Sequence, residues 1–185
     1  VDTEKVFEET FGLDKLPKKK RELYEAVTHR TERGEEPTER LLNVIRKIFK
    51  LPIPITEINE MLVSSTLIKP MWNLLQSLRK NYKVGILTNN QKYWPAEIAK
   101  HLGISFEGIK VFNSAEIGVR KPMKDIYLYV LRVLKNRPDE VIFIDDKTEN
   151  INTAAKLGIK TIQFTGNFED LLEQLKIYGV KVTIK

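Results

Sequence analysis

The spacing of apolar residues changes character near Pro70. Before it, apolar positions recur every three or four residues and no period-two run stands out, so residues 4 to about 66 read as helix throughout. Val6, Phe7, Thr10 and Phe11 form a short stripe behind Asp2-Thr3-Glu4, which reads as a helix cap, and the stripe stops at Gly12. Leu23, Ala26 and Val27 form a second, closing near Gly34. Pro37-Thr38-Glu39 opens a third, with Leu41, Leu42, Val44, Ile45, Ile48 and Phe49 at helical spacing until Pro52 and Pro54 break it. Ile55-Thr56-Glu57 opens the last, carrying Ile58, Met61, Leu62 and Val63. Short amphipathic helices must bury their stripes on one another, which predicts a small bundle.

From Pro70 onward, helical stripes alternate with short apolar runs. Met71, Leu74, Leu75 and Leu78 lead to the run 83–88; Ile98, Ala99 and Leu102 lead to 109–112. After a loop, Ile126, Tyr127, Val130, Leu131 and Leu134 lead to 141–146. Ile151, Ala154, Ala155 and Leu157 precede 161–164, and a helix with Leu171, Leu172 and Leu175 precedes a last run, 180–184. Apolar strands separated by helices predict right-handed βαβ units around a buried parallel sheet. The expected fold is α/β: a doubly wound, Rossmann-like parallel sheet over 69–185, with a small α-helical domain and its lead-in helix over 1–68.

In an open parallel sheet, ligands bind beyond the carboxyl ends of the strands. Two strands end in chemistry. One runs into Thr88-Asn89-Asn90, which is either a phosphate cradle of hydroxyl, amides and backbone N–H groups or a polar turn. The other runs into Asp145-Asp146. Adjacent carboxylates at a buried strand end repel each other and resist desolvation, which favours a shared cation over a simple helix cap. Mg2+ suits them, because it takes one or two carboxylates and leaves room for water and phosphate. Lys121 sits in the loop Gly118-Val119-Arg120-Lys121-Pro122 before a helix; alone it would read as a solvated lysine.

Composition narrows the partners. The chain has 185 residues, 42% hydrophobic and 30% charged, with a formal charge of +6 and no cysteine. That excludes a disulfide frame and thiolate metal sites, and no uncharged apolar run approaches the ~20 residues of a membrane span. The basic cluster Lys18, Lys19, Lys20 and Arg21 has no interleaved aromatics, so it reads as a solvated helix face and no nucleic-acid partner is expected. No membrane partner is expected either, and a cytoplasmic location is the expectation; the oligomeric state is left open. His29 and His101 lack a ligand partner at useful spacing, Trp94 reads as buried packing, and Tyr127 and Tyr129 read as helix packing.

Hydroxyl, lysine and acidic pair occur in the order ILTNN, GVRKPMKDIY and VIFIDDKTEN. This set resembles the second, third and fourth motifs of the haloacid dehalogenase (HAD) superfamily. With His29-Arg30-Thr31-Glu32-Arg33-Gly34-Glu35, it looks most like the subgroup holding the phosphatase half of soluble epoxide hydrolases and bacterial α-glucose-1-phosphate phosphatases. The resemblance implies a Mg2+-dependent phosphohydrolase of small phosphorylated metabolites, with a helical cap screening substrate. In that reading Thr88 holds the transferred phosphoryl group, Asn89 assists it and Lys121 neutralises charge. Asp146 binds Mg2+, Asp145 is a ligand or orients one, and Asn90 and Asn150 support the site. Lys147 departs from the neutral residue frequent in relatives.

The resemblance also implies a first motif, an apolar strand ending in Asp-x-Asp or Asp-x-Gly, whose first aspartate attacks phosphorus. Neither pattern occurs here. The first residue is Val1 rather than Met, so the sequence is expected to begin inside a longer protein and to lack one central strand, on the order of a dozen residues. A sheet without it is expected to carry a gap or an exposed apolar edge. The competing expectations are a non-catalytic module that binds phosphate or protein, and a haloacid dehalogenase, whose attack on carbon would leave the acidic pair without a cation to hold. A receiver domain would put its acids first, and a dinucleotide fold would need a glycine-rich turn.

Overall fold

The computed structural model describes residues 12–64 and 66–182. The helix expected before Gly12 lies outside the described residues. The described chain divides into two compact units: one runs through Leu67 and includes Leu87–Arg120, and the other holds Ile68–Ile86 and the chain from Lys121 onward.

The first unit is built on α1 (Lys18–Glu32), α2 (Thr38–Phe49) and α3 (Ile55–Val63). Each follows a proline whose fixed φ suits a helix start. The stripe read from the sequence is the one buried: Leu41, Leu42, Val44, Ile45 and Ile48 of α2 pack with Val27, Ile58 and Leu62. Each such side chain contributes roughly 1.5–3 kcal/mol, which outweighs the helical propensity of pieces this short. Trp94 and Ile98, from α5 (Trp94–Leu102), complete this core. The indole N–H of Trp94 donates to Asn59 Oδ1 at 2.8 Å, and Asn59 Nδ2 donates to Glu97 at 3.0 Å, fastening α5 to α3. Trp94 is thus a core residue, as its sequence context implied.

The end of β1 (Gly85–Thr88) also belongs to this unit, and β1 pairs with β2 (Lys110–Asn113). The stretch after β2, expected as loop, contains a one-turn helix α6 (Ser114–Ile117), capped by Asn113 Oδ1 on Ala115 N. Four residues are too few for an apolar period to register.

The second unit holds α4 (Lys69–Leu78), α7 (Lys124–Leu134), β3 (Ile142–Asp145), α8 (Thr148–Lys156), β4 (Lys160–Gln163) and α9 (Phe168–Ile177). β3 and β4 pair in parallel, from Ile142 opposite Lys160 to Asp145 opposite Gln163, with α8 as the crossover. That is the expected βαβ unit. Its core is Leu74, Ile162, Leu171 and Leu175, with Ile142, Ile144, Phe164 and Val180 packed against it. Of the last expected strand, Val180–Val182 is not in a strand and residues 183–184 fall outside the described residues. Among the described residues the strands form two two-stranded sheets, and no helix is long and apolar enough to cross a membrane.

Candidate active site

β3 delivers Asp145 to its carboxyl end, in the second unit. Ile142 and Ile144 lean on the apolar core, while Asp145 is only 8% exposed. A buried carboxylate is tolerated only where donors replace its water. Three do so: Lys121 Nζ reaches Oδ2 at 2.6 Å, while Asn150 Nδ2 and the Lys147 backbone N–H reach Oδ1 at 2.8 and 2.9 Å. Lys121 is itself largely buried, its ammonium 5.7 Å from the Phe143 ring centroid. Lys147, the departure noted in the sequence, contributes its backbone to this arrangement and starts α8.

Asp146 is exposed, and its backbone carbonyl accepts Gln163 Nε2 at 3.1 Å. The two adjacent acids therefore occupy different environments. Asn150 is buried in the first turn of α8, and its Oδ1 has no partner among the described residues. The Tyr127 hydroxyl donates to the Asn150 backbone carbonyl at 3.1 Å. Burial, and then the negative charges of Asp145 and Glu149, push that phenol well above the ordinary tyrosine range.

Thr88, Asn89 and Asn90 belong to the first unit, where Thr88 ends β1. Asn90 is buried, its backbone N–H donates to Ser114 Oγ at 3.1 Å, and its Oδ1 is unpartnered among the described residues. Asn113 Nδ2 holds the next two carbonyls, those of Gln91 and Lys92, both at 3.1 Å, and Gln91 Nε2 donates to Thr31 Oγ1 at 3.2 Å. The end of β2 thus pins the loop that follows Thr88. Arg120, one residue before Lys121, pairs with Glu32 at 2.7 Å.

The structure groups Lys121, Asp145 and Asn150 with Asp146 at the same strand end, and it sets Thr88, Asn89 and Asn90 within the other unit. Sequence reasoning did not single out Asn113, Ser114 or Gln91, nor the Tyr127 hydroxyl; only the Asn113 cap before Ser114-Ala115-Glu116 left a local signal. His101 is exposed and His29 half-buried. Among the described residues, no group of three or more histidine, aspartate or glutamate side chains is placed to hold a metal ion.

Known proteins resemble this chain in sequence and in fold. The chain is 30% identical over 120 residues to bifunctional epoxide hydrolase 2 of Rattus norvegicus, covering 61% of this chain and 21% of that one. It is 31% identical over 115 residues to flavin mononucleotide hydrolase 1 of Arabidopsis thaliana, covering 62% and 46%. The chain therefore spans less than half the length of these relatives. A HAD family enzyme of Bacteroides thetaiotaomicron, solved with magnesium and inorganic phosphate, aligns at 25% identity with a TM-score of 0.64, covering 72% of each chain. Another structure of that enzyme aligns at 22% identity with a TM-score of 0.75 over 92% of this chain and 89% of that one. The family model of haloacid dehalogenase-like hydrolases matches residues 2–158, most of the sequence and every motif quoted from it, and the chain belongs to that family.

Proposed function

We propose that this chain carries the phosphate- and metal-binding part of a Mg2+-dependent phosphohydrolase acting on a small phosphorylated metabolite. One observation carries the reading: Lys121 is fixed 2.6 Å from Asp145, beside an Asp146 left open to solvent. A buried ammonium held at a strand end is a preset cation for a dianionic phosphoryl group. The division into a helical cap over 1–68 and a core over 69–185 belongs to this proposal, as do the cytoplasmic location and the absence of nucleic-acid or membrane partners.

The donors on hand fit a hard divalent cation. Asp146 offers an exposed carboxylate, and the buried Asn150 Oδ1, without a partner among the described residues, is a further hard oxygen that would support the site. Asp146 would hold the ion directly. Both Asp145 oxygens already receive donors, which favours the orienting role over the ligand role. When bound, Mg2+ would neutralise charge on the phosphoryl oxygens. Lys121 binds those oxygens and the attacking carboxylate, Thr88 donates its hydroxyl to the transferred group, and Asn89 assists from the following position. Asn90 and Asn150 hold the two loops in place. The reaction would pass through an aspartyl-phosphate formed on a carboxylate nucleophile.

A second reading, a phosphate-binding module without turnover, rests on the same Lys121–Asp145 pair, whose ammonium can hold phosphate without a nucleophile. Hydrolysis of an aryl phosphate, with and without Mg2+, separates the two. The assay compares this chain with a version extended at its N-terminus by an apolar strand ending in Asp-x-Asp. The extended version should turn over, Asp146→Ala should abolish this, and Lys121→Ala should lower it by about 10²- to 10³-fold. Unchanged turnover in either variant would sink the hydrolase reading. Phosphate binding with no turnover in either form would favour the second.

A further inference from the structure

Tyr127 occupies a stripe position on α7, and its ring packs accordingly. It meets Phe143 edge-to-face, with centroids 5.3 Å apart and planes at 88°. The hydroxyl is not needed for that contact. A phenol at 2% exposure must nevertheless place its O–H, and this one spends it on the carbonyl of Asn150. That carbonyl lies in the first turn of α8, the turn that also presents the Asn150 side chain. From there the bonds continue without a break. Asn150 Nδ2 donates to Asp145 Oδ1, and Asp145 Oδ2 receives Lys121.

The Asn150 amide is held at one end only, because its Oδ1 finds no protein donor among the described residues. The aim of such an amide depends on how firmly the backbone beneath it is held. We propose that Tyr127 is a positioning residue, whose hydroxyl fixes the first turn of α8 so that Asn150 aims Asp145 at Lys121. The functional consequence rests on reading Lys121 as the phosphate-binding cation; the mechanical linkage does not.

The test compares Tyr127→Phe with Leu131→Val, a core change on the same helix that alters no hydrogen-bonding group. In the 185-residue chain, NMR follows the 1H–15N signal of the Lys121 ammonium, and calorimetry measures inorganic phosphate binding in Mg2+. Tyr127→Phe should shift or broaden the Lys121 signal and weaken phosphate binding about fivefold, the worth of one hydrogen bond. Leu131→Val should lower stability and leave both unchanged. A folded Tyr127→Phe protein with an unmoved Lys121 signal would overturn the proposal, as would equal shifts in the two variants. If the wild-type chain binds no phosphate, the functional reading fails, while the ammonium signal still decides the positioning role.

Discussion

Arg120 Nε donates to Glu32 Oε2 at 2.7 Å across 88 positions of sequence, joining the end of α1 to the residue before Lys121. Both side chains are less than a fifth exposed, 18% and 13%. Removing one partner strands a mostly dehydrated charge. A fully buried pair costs ~3–5 kcal/mol to break in this way, and the residual water here reduces Glu32→Ala to roughly 1–3 kcal/mol. The double variant Glu32→Leu, Arg120→Met should lose less than the two single changes combined. Urea unfolding checks this; additive losses would mean the two groups are not coupled.

The turn after α1 makes a separate prediction. Gly34 adopts φ +67, and a Cβ there would overlap the backbone carbonyl of Ala115. Backbone cannot rotate aside as a long side chain can. Gly118 has a similar conformation, φ +82, but open space where its Cβ would go. Gly118→Ala should therefore cost only the ~1–2 kcal/mol of the left-handed conformation, and Gly34→Ala clearly more. Equal thermal shifts for the two would contradict the close approach.

The bundle helices and the βαβ unit were legible because burial and periodicity largely agree: of the residues the spacing of α2 selects, all but the half-buried Phe49 are buried. The carboxyl-end rule also led to Asp145, whereas Lys121 and Asn150 came from the ordered motifs and the family they resemble. The split between Asp145 and Asp146 was not legible. β3 ends at Asp145 and Asp146 lies in the bend beyond it, and which of the two is buried depends on elements elsewhere in the chain. The Glu32–Arg120 pair and the Tyr127 hydroxyl bond lacked local signals for the same reason. A stripe position announces that a ring is buried, not what its hydroxyl meets.

Because the two acids differ in burial, their variants should separate stability from metal response. Asp145→Ala leaves the mostly buried Lys121 ammonium without its carboxylate, so it should destabilise the chain by roughly 3–5 kcal/mol. Asp146→Ala removes an exposed side chain, so its unfolding midpoint should stay within about 0.5 kcal/mol of wild type. The same variant should lose the rise in melting temperature that added Mg2+ gives the parent chain. A parent chain indifferent to Mg2+, or an Asp146→Ala variant that still responds, would remove Asp146 from the metal site.

Alkaline pH should weaken this protein through Tyr127. Its phenol is pushed upward first by burial and then by Asp145 and Glu149, so the folded chain holds the proton more tightly than the unfolded chain. Below the unfolded value of about 10, both states are protonated and the contribution of this residue is fully present. Above it, the unfolded chain releases the proton while the folded chain keeps it. Stability then falls with rising pH until the folded phenol also ionises, by at most about 1.4 kcal/mol per pH unit. The sequence holds six tyrosines in all, so the measurement is the difference between wild type and Tyr127→Phe. Near neutral pH the variant should be less stable by roughly 0.5–1.5 kcal/mol, having lost one hydrogen bond. Between about pH 10 and 11 the gap should close, because phenylalanine has no proton to lose. Parallel stability curves in urea titrations over that interval would show that the Tyr127 hydroxyl is not held as the structure has it.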